Sequence, residues 1–229
     1  MSLAGPRDAA AYHQLHNLVL NRFPRRALRW AVPVLFVTER LYVARLRPLL
    51  GLRPSEKHFA YSWIAGKLAP GRQRILDVGS GNSLFPCHLV RRGYDMVALD
   101  LFSRSTPARF PGLGFAVGDL RYAPFGNGAF DMVTAVSSIE HIDEHPEKAC
   151  DELHRLLAEG GALLVTMPAD DNSIRMKRLL MLRFRVLEEK YWLVRPGQTS
   201  WHEATEEEWS APAPQDVAVV HLALSKERL

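Results

Sequence analysis

The stretch Asp77-Val78-Gly79-Ser80-Gly81 carries the residue types best suited to holding a small ligand. Residues 75–78 are predicted as a short buried strand, and the two glycines after it let the backbone turn tightly and approach a ligand closely. A helix is predicted from Ser83, and the first N–H groups of a helix are free to bind a ligand. Asp77, two residues before the first glycine, suits a ligand that carries a positive ammonium group.

Two classes of cofactor use such a turn between a strand and a helix. A dinucleotide requires the pattern Gly-x-Gly-x-x-Gly, and Leu84 stands here where the third glycine belongs. S-adenosylmethionine has an ammonium group in its methionine part, which Asp77 suits. The sequence therefore favours S-adenosylmethionine over a nicotinamide dinucleotide.

Acidic residues also follow the next two predicted strands. Asp100 comes about 20 residues after the glycines, the spacing at which a carboxylate reaches ribose hydroxyls. Asp119 follows the third strand and is placed to accept from an adenine amino group, while the backbone of Leu120 donates. Ligands of open α/β sheets bind at the carboxyl ends of the strands, so these residues are expected to share one crevice.

Together these stretches resemble the class I methyltransferases that act on small molecules, a group that includes ubiquinone-biosynthesis enzymes. The matching segments are 74–83, 97–100, 117–120, 130–133, 138–142 and 157–168. The resemblance implies S-adenosylmethionine as cofactor, with S-adenosylhomocysteine as product, and a cofactor site that includes Ser137 after the fourth strand. The predicted cofactor-binding residues are Asp77, Gly79, Ser80, Gly81, Asp100, Leu101, Asp119, Leu120 and Ser137.

The elements that must position these residues alternate along the chain. Apolar runs predict strands at 75–78, 95–100, 114–117, 130–136 and 162–167, separated by helices, and buried parallel strands have this composition. The predicted fold is α/β, a doubly wound, mostly parallel sheet of the seven-stranded type. Further elements are an amphipathic helix at 173–190, a helix start at 205–208 and a closing strand at 216–225. With so few elements after the fifth strand, we expect the last edge of the sheet to be reduced.

The remaining segments are predicted to cover the site. Residues 1–69 form an N-terminal helical cap, with helices at 8–20 and 25–47, and residues 70–229 form the cofactor-binding domain. Residues 169–213 are predicted as an insertion on the substrate side. Residues 1–60 contain ten Lys or Arg and three Asp or Glu, a net +7 in a chain of net +4.

The basic segment leaves two interpretations open: helices that cover the substrate pocket, or a contact with a membrane surface or lipid-like acceptor. We expect no nucleic acid partner, since no groove-reading or stacking motif appears. The two cysteines have no metal-ligand spacing, so no metal site is expected and a reducing, cytoplasmic location is predicted. Peripheral membrane contact and oligomeric state stay open.

Two histidines are candidates for the chemistry of the acceptor. His141 follows the fourth strand and is predicted as a general base, and His202 is predicted to line the acceptor pocket; a structural role is the alternative for each. The predicted function is methyl transfer to a small-molecule oxygen, nitrogen or carbon nucleophile, with a hydrophobic acceptor left open. The alternatives are a catalytically silent binding protein on the same fold and a nicotinamide-dependent oxidoreductase.

Overall fold

A computed structural model describes residues 26–28, 30–31, 34, 55–69, 73–101 and 106–226 of the 229-residue chain. The helix predicted over residues 8–20 lies outside this part, as does most of the helix predicted over 25–47. Among the residues described, no helix is long and apolar enough to cross a membrane.

The described chain is organised around one sheet of eight strands in the order β3-β2-β1-β4-β5-β8-β6-β7. Strands β1 to β5 run parallel to one another, while β8 pairs antiparallel with β5 and β6, and β6 with β7. The strands are β1 (Arg74–Val78), β2 (Asp95–Asp100), β3 (Gly114–Val117), β4 (Phe130–Val136), β5 (Leu157–Pro168), β6 (Arg185–Val194), β7 (His202–Ala204) and β8 (Val217–Ser225).

Helices cover both faces of the sheet, which confirms the doubly wound architecture. The helices are α1 (Glu56–Lys67), α2 (Phe85–Arg91), α3 (Thr106–Arg109), α4 (Pro146–Leu156), α5 (Asp171–Met181) and α6 (Glu206–Ser210). One apolar core joins α1 and α2 to one face, and a second joins α4, α5 and α6 to the other. Burying both faces explains why the parallel strands are almost uniformly apolar.

Helix α1 is held on the sheet by aromatic side chains. Phe59 stacks on Trp201 at 5.2 Å and meets the edge of Trp192 at 5.0 Å between ring centroids. Trp63 donates from Nε1 to Glu188 of β6 at 2.9 Å. Aromatic pairs of this kind stabilise a contact beyond the area they bury, so α1 has a defined position over the last strands.

The predicted strand positions are confirmed most closely in the parallel half of the sheet. β2, β3 and β4 have the predicted bounds, because each is a short apolar run ended by a turn or a polar residue. β5 begins five residues earlier than predicted. Helix α4 ends at Leu156, and the chain extends directly from Leu157, with Gly160 and Gly161 inside the strand.

The expectation of a reduced last edge is wrong, since β6, β8 and β7 extend the sheet beyond β5. The helix predicted over 173–190 ends at Met181, and β6 begins at Arg185. Polar residues in the first half of β6 resemble the exposed face of a helix, but β6 pairs with β8 along its whole length. Long-range pairing overrides local propensity here. Part of segment 169–213 is therefore sheet.

A buried lysine ties α5 to the elements that cover it. Lys177 is almost fully buried, and its ammonium lies 2.6 Å from Glu189 of β6. It also pairs with Glu206 of α6 and donates to the hydroxyl of Tyr191. The ammonium of Lys177 therefore holds β6 and α6 in fixed positions relative to α5. Removal of one member of such a buried ion pair is costly, because the charge of the other member is left uncompensated.

We expect Lys177→Met to lower the free energy of unfolding by about 2–4 kcal/mol, because two carboxylates lose their cation beside an apolar core. Urea unfolding followed by circular dichroism measures this. Arg195→Met is the control, since it breaks the exposed Arg195–Glu208 pair and should cost under about 1 kcal/mol. Equal losses in the two variants would show that the buried pairs contribute no more than surface ones.

Candidate functional site

A cavity of about 590 Å³ lies at the carboxyl ends of β1, β2, β3 and β4. Its volume is within the usual range for small-molecule sites, roughly 300–1,000 Å³. The predicted site residues on its wall are Gly79, Gly81, Asp100, Leu101, Asp119, Leu120, Ser137 and His141. The sheet thus brings together residues up to 62 positions apart in the sequence, as predicted from the strand ends.

The turn after β1 requires two residues without side chains. Gly79 has φ +67° and Gly81 has φ +51°, both in the left-handed region that favours glycine. A Cβ at Gly79 would overlap the Cβ of Ser138, whereas a Cβ at Gly81 would meet no protein atom within 4 Å. Gly79 therefore serves close packing within the protein, and Gly81 leaves open space on the cavity wall.

Asp100 connects the second strand to this turn. Its Oδ2 accepts a hydrogen bond from the backbone N–H of Gly81 at 2.7 Å. The N–H of Gly79 donates to the carbonyl of Leu99 at 2.8 Å, which continues the β1–β2 pairing into the turn. One carboxylate oxygen of Asp100 is therefore oriented by the turn, and the carboxylate is positioned on the cavity wall.

Asp119 lies on the cavity wall and is paired with Arg121. Arg121 Nη2 lies 2.6 Å from Asp119 Oδ2, and Arg121 Nε lies 3.1 Å from both oxygens. The carboxylate also accepts from the backbone N–H of Arg121, which starts a short helical turn. These contacts hold the pKa of Asp119 below its usual value. An adenine amino group would thus meet a fixed, charged carboxylate.

The end of β4 shows local backbone strain. Ser137 has φ +44°, which is uncommon outside glycine. Its N–H donates to the carbonyl of Thr166 at 2.9 Å, and its hydroxyl donates to the carboxylate of Glu56 at the start of α1. Ser138 donates to the carbonyl of Val78 at 2.9 Å. Both serines join the end of β4 to its neighbours at the cavity. Residues with strained backbone are concentrated in functional sites, which fits this location.

His141 and Glu140 lie on the turn that follows Ser138, in contrasting environments. The His141 side chain is 74% exposed and lines the cavity, with Nε2 4.0 Å from Glu140 Oε1. Glu140 is fully buried, and neither carboxyl oxygen has a hydrogen-bond partner within the described part of the chain. Burial raises the pKa of Glu140 to about 8, with the charges of Glu56 and Asp170 adding to the effect. Glu140 is therefore predominantly protonated at neutral pH.

Three predicted site residues do not reach the cavity wall. Asp77 and Ser80 are buried beneath the turn, and Asp77 Oδ1 accepts from Thr134 Oγ1 at 2.7 Å. Burial raises the pKa of Asp77 to about 7, although the hydrogen bond from Thr134 lowers it. His202 lies exposed at the start of β7, on the far side of the sheet from β1. It contacts Ser200 at 3.3 Å instead of the cavity.

Several residues at the site were not predicted from the sequence. Arg121 lines the cavity, and its position two residues after Asp119 was a usable signal for a carboxylate partner. Glu56 and Tyr61 of α1 had no such signal, because they meet the site only through the fold. Tyr61 accepts a hydrogen bond from Ser83 Oγ at 2.8 Å, just after the glycine turn.

Known proteins resemble this chain in both sequence and fold. Residues 76–165 match the family model described as methyltransferase domain. A demethylmenaquinone methyltransferase of Renibacterium salmoninarum is 35% identical over 99 residues, covering 42% of this chain and 41% of that protein. An uncharacterized methyltransferase of Mycobacterium tuberculosis is 28% identical over 162 residues, 65% of each chain. This chain thus spans from two fifths to just under two thirds of these relatives.

Solved structures show the same architecture at low sequence identity. The structure of a 4+2 cyclase named SpnF has a TM-score of 0.55 and 17% identity, covering 73% of this chain and 79% of that one. At this identity the likeness establishes the fold alone.

The sheet is Rossmann-like, and its crevice lies at the strand tips where the strand order reverses, between β1 and β4. The family match adds that residues 76–165 form a methyltransferase domain.

The two glycines should respond differently to the same substitution. Gly79→Ala should lower the free energy of unfolding by about 3 kcal/mol, because the added methyl overlaps Ser138 in a left-handed backbone. Gly81→Ala should cost only about 1 kcal/mol, the conformational term alone. Urea unfolding measures both, with Gly126→Ala in an open loop as control. Equal losses at 79 and 81 would contradict the packing difference.

Asp77 should make stability depend on pH. The folded protein keeps the Asp77 proton up to about pH 7, whereas the unfolded chain releases it near pH 4. Its contribution is therefore complete below about pH 4 and is lost as the pH rises to 7. Between pH 5 and 8, the wild type should lose about 2–3 kcal/mol relative to Asp77→Asn in urea unfolding. A difference that does not vary with pH would mean that folded Asp77 ionises normally.

Proposed function

We propose that this protein transfers the methyl group of S-adenosylmethionine to a small-molecule oxygen, nitrogen or carbon nucleophile. The proposal rests on one observation: the glycine turn, Asp100, Asp119 and Ser137 line a single cavity in the order of the strand tips. The class I methyltransferase domain at 76–165 supports the same cofactor. The chain spans only part of its relatives, so the activity is a proposal for the whole protein.

The residues fit the parts of this cofactor. Asp100 keeps acceptor capacity toward a ribose diol beside its bond from Gly81, since a carboxylate has about four lone-pair sites. Asp119 and Leu120 stand one strand further on, at the adenine end. The open space at Gly81 allows close approach of the ligand to the backbone. These groups would hold the cofactor in a fixed position against the strand tips.

The cofactor supplies an activated methyl group on a positive sulfur. The protein therefore needs chiefly to align donor and acceptor, which by itself lowers a barrier substantially. His141 is our candidate for the group that removes a proton from the acceptor, because its imidazole is accessible on the cavity wall. The assignment of His202 to the acceptor pocket remains a sequence-based prediction without support from its position.

We propose a small, hydrophobic acceptor. The proposal is supported by apolar side chains on the cavity wall, among them Leu101, Ile139 and Ile142, which stand beside the charged ones. The relative from R. salmoninarum is named for demethylmenaquinone, which agrees with an apolar acceptor. A cytoplasmic location, membrane contact through the basic N-terminal segment and the absence of a nucleic acid partner remain predictions from composition.

Two alternative functions are compatible with the same fold and predict different binding and activity results. A silent binding protein would hold the cofactor without methylating any acceptor, and SpnF, named as a cyclase, has a related fold. A nicotinamide-dependent oxidoreductase would bind reduced nicotinamide dinucleotide instead. Leu84 lies where the dinucleotide pattern requires glycine, which disfavours this alternative.

Titration calorimetry with S-adenosylmethionine tests the proposal. The wild type should bind it, and Asp100→Ala should lose about 1–3 kcal/mol of binding free energy, the scale of a lost hydrogen bond involving a charged group. Asp95→Ala is the matched control, because Asp95 is exposed at the opposite end of the same strand. Its affinity should equal that of the wild type.

Fluorescence titration with reduced nicotinamide dinucleotide and mass-spectrometric screening of acceptors complete the test. Absent binding of S-adenosylmethionine would exclude the proposed function. Binding without a methylated product across a broad acceptor panel would favour the silent binding protein. Unchanged affinity in Asp100→Ala would remove Asp100 from the site.

A further inference from the structure

The order of the strands determines which end of the cofactor each element meets. Asp119 follows β3, Asp100 ends β2, and the glycine turn and Ser137 follow β1 and β4. Neighbouring strands lie about 4.8 Å apart, so these four tips span about 14 Å. If the proposed function places adenine and ribose at β3 and β2, the methionine part lies over β1 and β4, beside Ser137.

At this end of the cavity, helix α1 contributes a carboxylate from outside the family domain. Glu56 is the first residue of α1, and one of its carboxylate oxygens accepts a hydrogen bond from the hydroxyl of Ser137. Ser137 itself lines the cavity and is held with φ +44° by its bond to Thr166. The carboxylate of Glu56 is therefore fixed one hydrogen bond away from the cavity wall.

Among the residues that the structure describes, the charges that act on Glu56 and its neighbours are more often acidic than basic. The charge of Asp170 disfavours ionisation of Glu56, and the charge of Glu56 does the same to Glu140. Lys57 is the nearby described cation that favours the ionised form, and its side chain is exposed. Glu140 is fully buried, and within residues 55–69, 73–101 and 106–226 its two oxygens have no hydrogen-bond partner. Such a cluster is stabilised by an added cation.

Asp77, the acid predicted from the sequence to meet the ammonium group, is not among the residues that line the cavity. Its carboxyl is buried under the glycine turn, is bonded to Thr134 and is absent from the cavity wall. Glu56 is not on the wall either, but its carboxylate is bonded to Ser137, which lines the cavity. A carboxylate near the ammonium group is therefore available from a different residue.

We propose that Glu56, held by Ser137, binds the α-ammonium group of the methionine part of the cofactor. The inference rests on the proposed function and assigns a cofactor contact to the helix that precedes the methyltransferase domain. A charge-assisted hydrogen bond of this kind is shorter and stronger than a neutral one. The ammonium group would also offset the negative charge of this acidic cluster.

The test compares two ligands that differ only in the ammonium group. Calorimetry measures the binding of S-adenosylhomocysteine and of its deaminated analogue, in which hydrogen replaces the amino group. Glu56→Gln should weaken S-adenosylhomocysteine about tenfold or more. The same variant should bind the deaminated analogue within about twofold of the wild type, because that ligand has no cation to lose.

Two further variants make the comparison specific. Asp77→Asn should leave the ratio of the two affinities at the wild-type value, since Asp77 is off the cavity wall. Glu203→Gln is the matched control, an exposed glutamate on β7, and should change neither affinity. Ser137→Ala should reduce the preference for the ammonium-bearing ligand, because it removes the anchor of Glu56, and it provides a second test if Glu56→Gln unfolds.

The outcomes separate this inference from the proposed function. If the wild type binds neither S-adenosylmethionine nor S-adenosylhomocysteine, the proposed function fails and the inference fails with it. If the wild type binds and Glu56→Gln weakens both ligands equally, or neither, Glu56 does not recognise the ammonium group. If Asp77→Asn alone abolishes the preference, the ammonium group is read by Asp77.

Discussion

The site depends on the absence of a side chain at Gly79. With φ +67° and its α-carbon close to Ser138, this residue lets the backbone leave β1 and turn at once toward β2. The turn then presents the N–H of Gly81 to Asp100 at 2.7 Å. Because β4 packs on one side of the turn and β2 holds the other, the three strand tips form one wall. The positions of Gly79, Gly81, Asp100 and Ser137 on the cavity wall follow from this arrangement.

A helix that precedes the matched domain contacts this wall. Helix α1 contacts Ser83 through Tyr61 and Ser137 through Glu56, so it meets the turn after β1 and the end of β4 together. Its other face is packed against aromatic residues of β6 and the following loop. The residues that line the cavity thus lie within 76–165, an element before them contacts two of the turns at the site, and the last antiparallel strands support that element.

The acidic residues of the site divide into two groups with different physical states. Asp119 is paired with Arg121 and has a lowered pKa, so it presents a permanent negative charge at one end. Asp77 and Glu140 are buried and have raised pKa values, so both tend to hold a proton near neutral pH. Charge within the cavity is therefore set by pairing and burial as well as by residue type. The same fold can serve other chemistry, and these local environments distinguish one use from another.

The sequence by itself determined the parallel half of the sheet and the resemblance to methyltransferases. β2, β3 and β4 are continuous apolar runs with clear ends, and glycines and acids directly after strands have a local physical meaning. Only the tertiary structure decided that residues 185–194 form a strand, because their pairing with β8 outweighs a helix-like polar pattern. It also decided that Asp77 is buried and that Glu56 reaches Ser137. Burial and contacts between distant residues arise from packing, which no local pattern of residue types records.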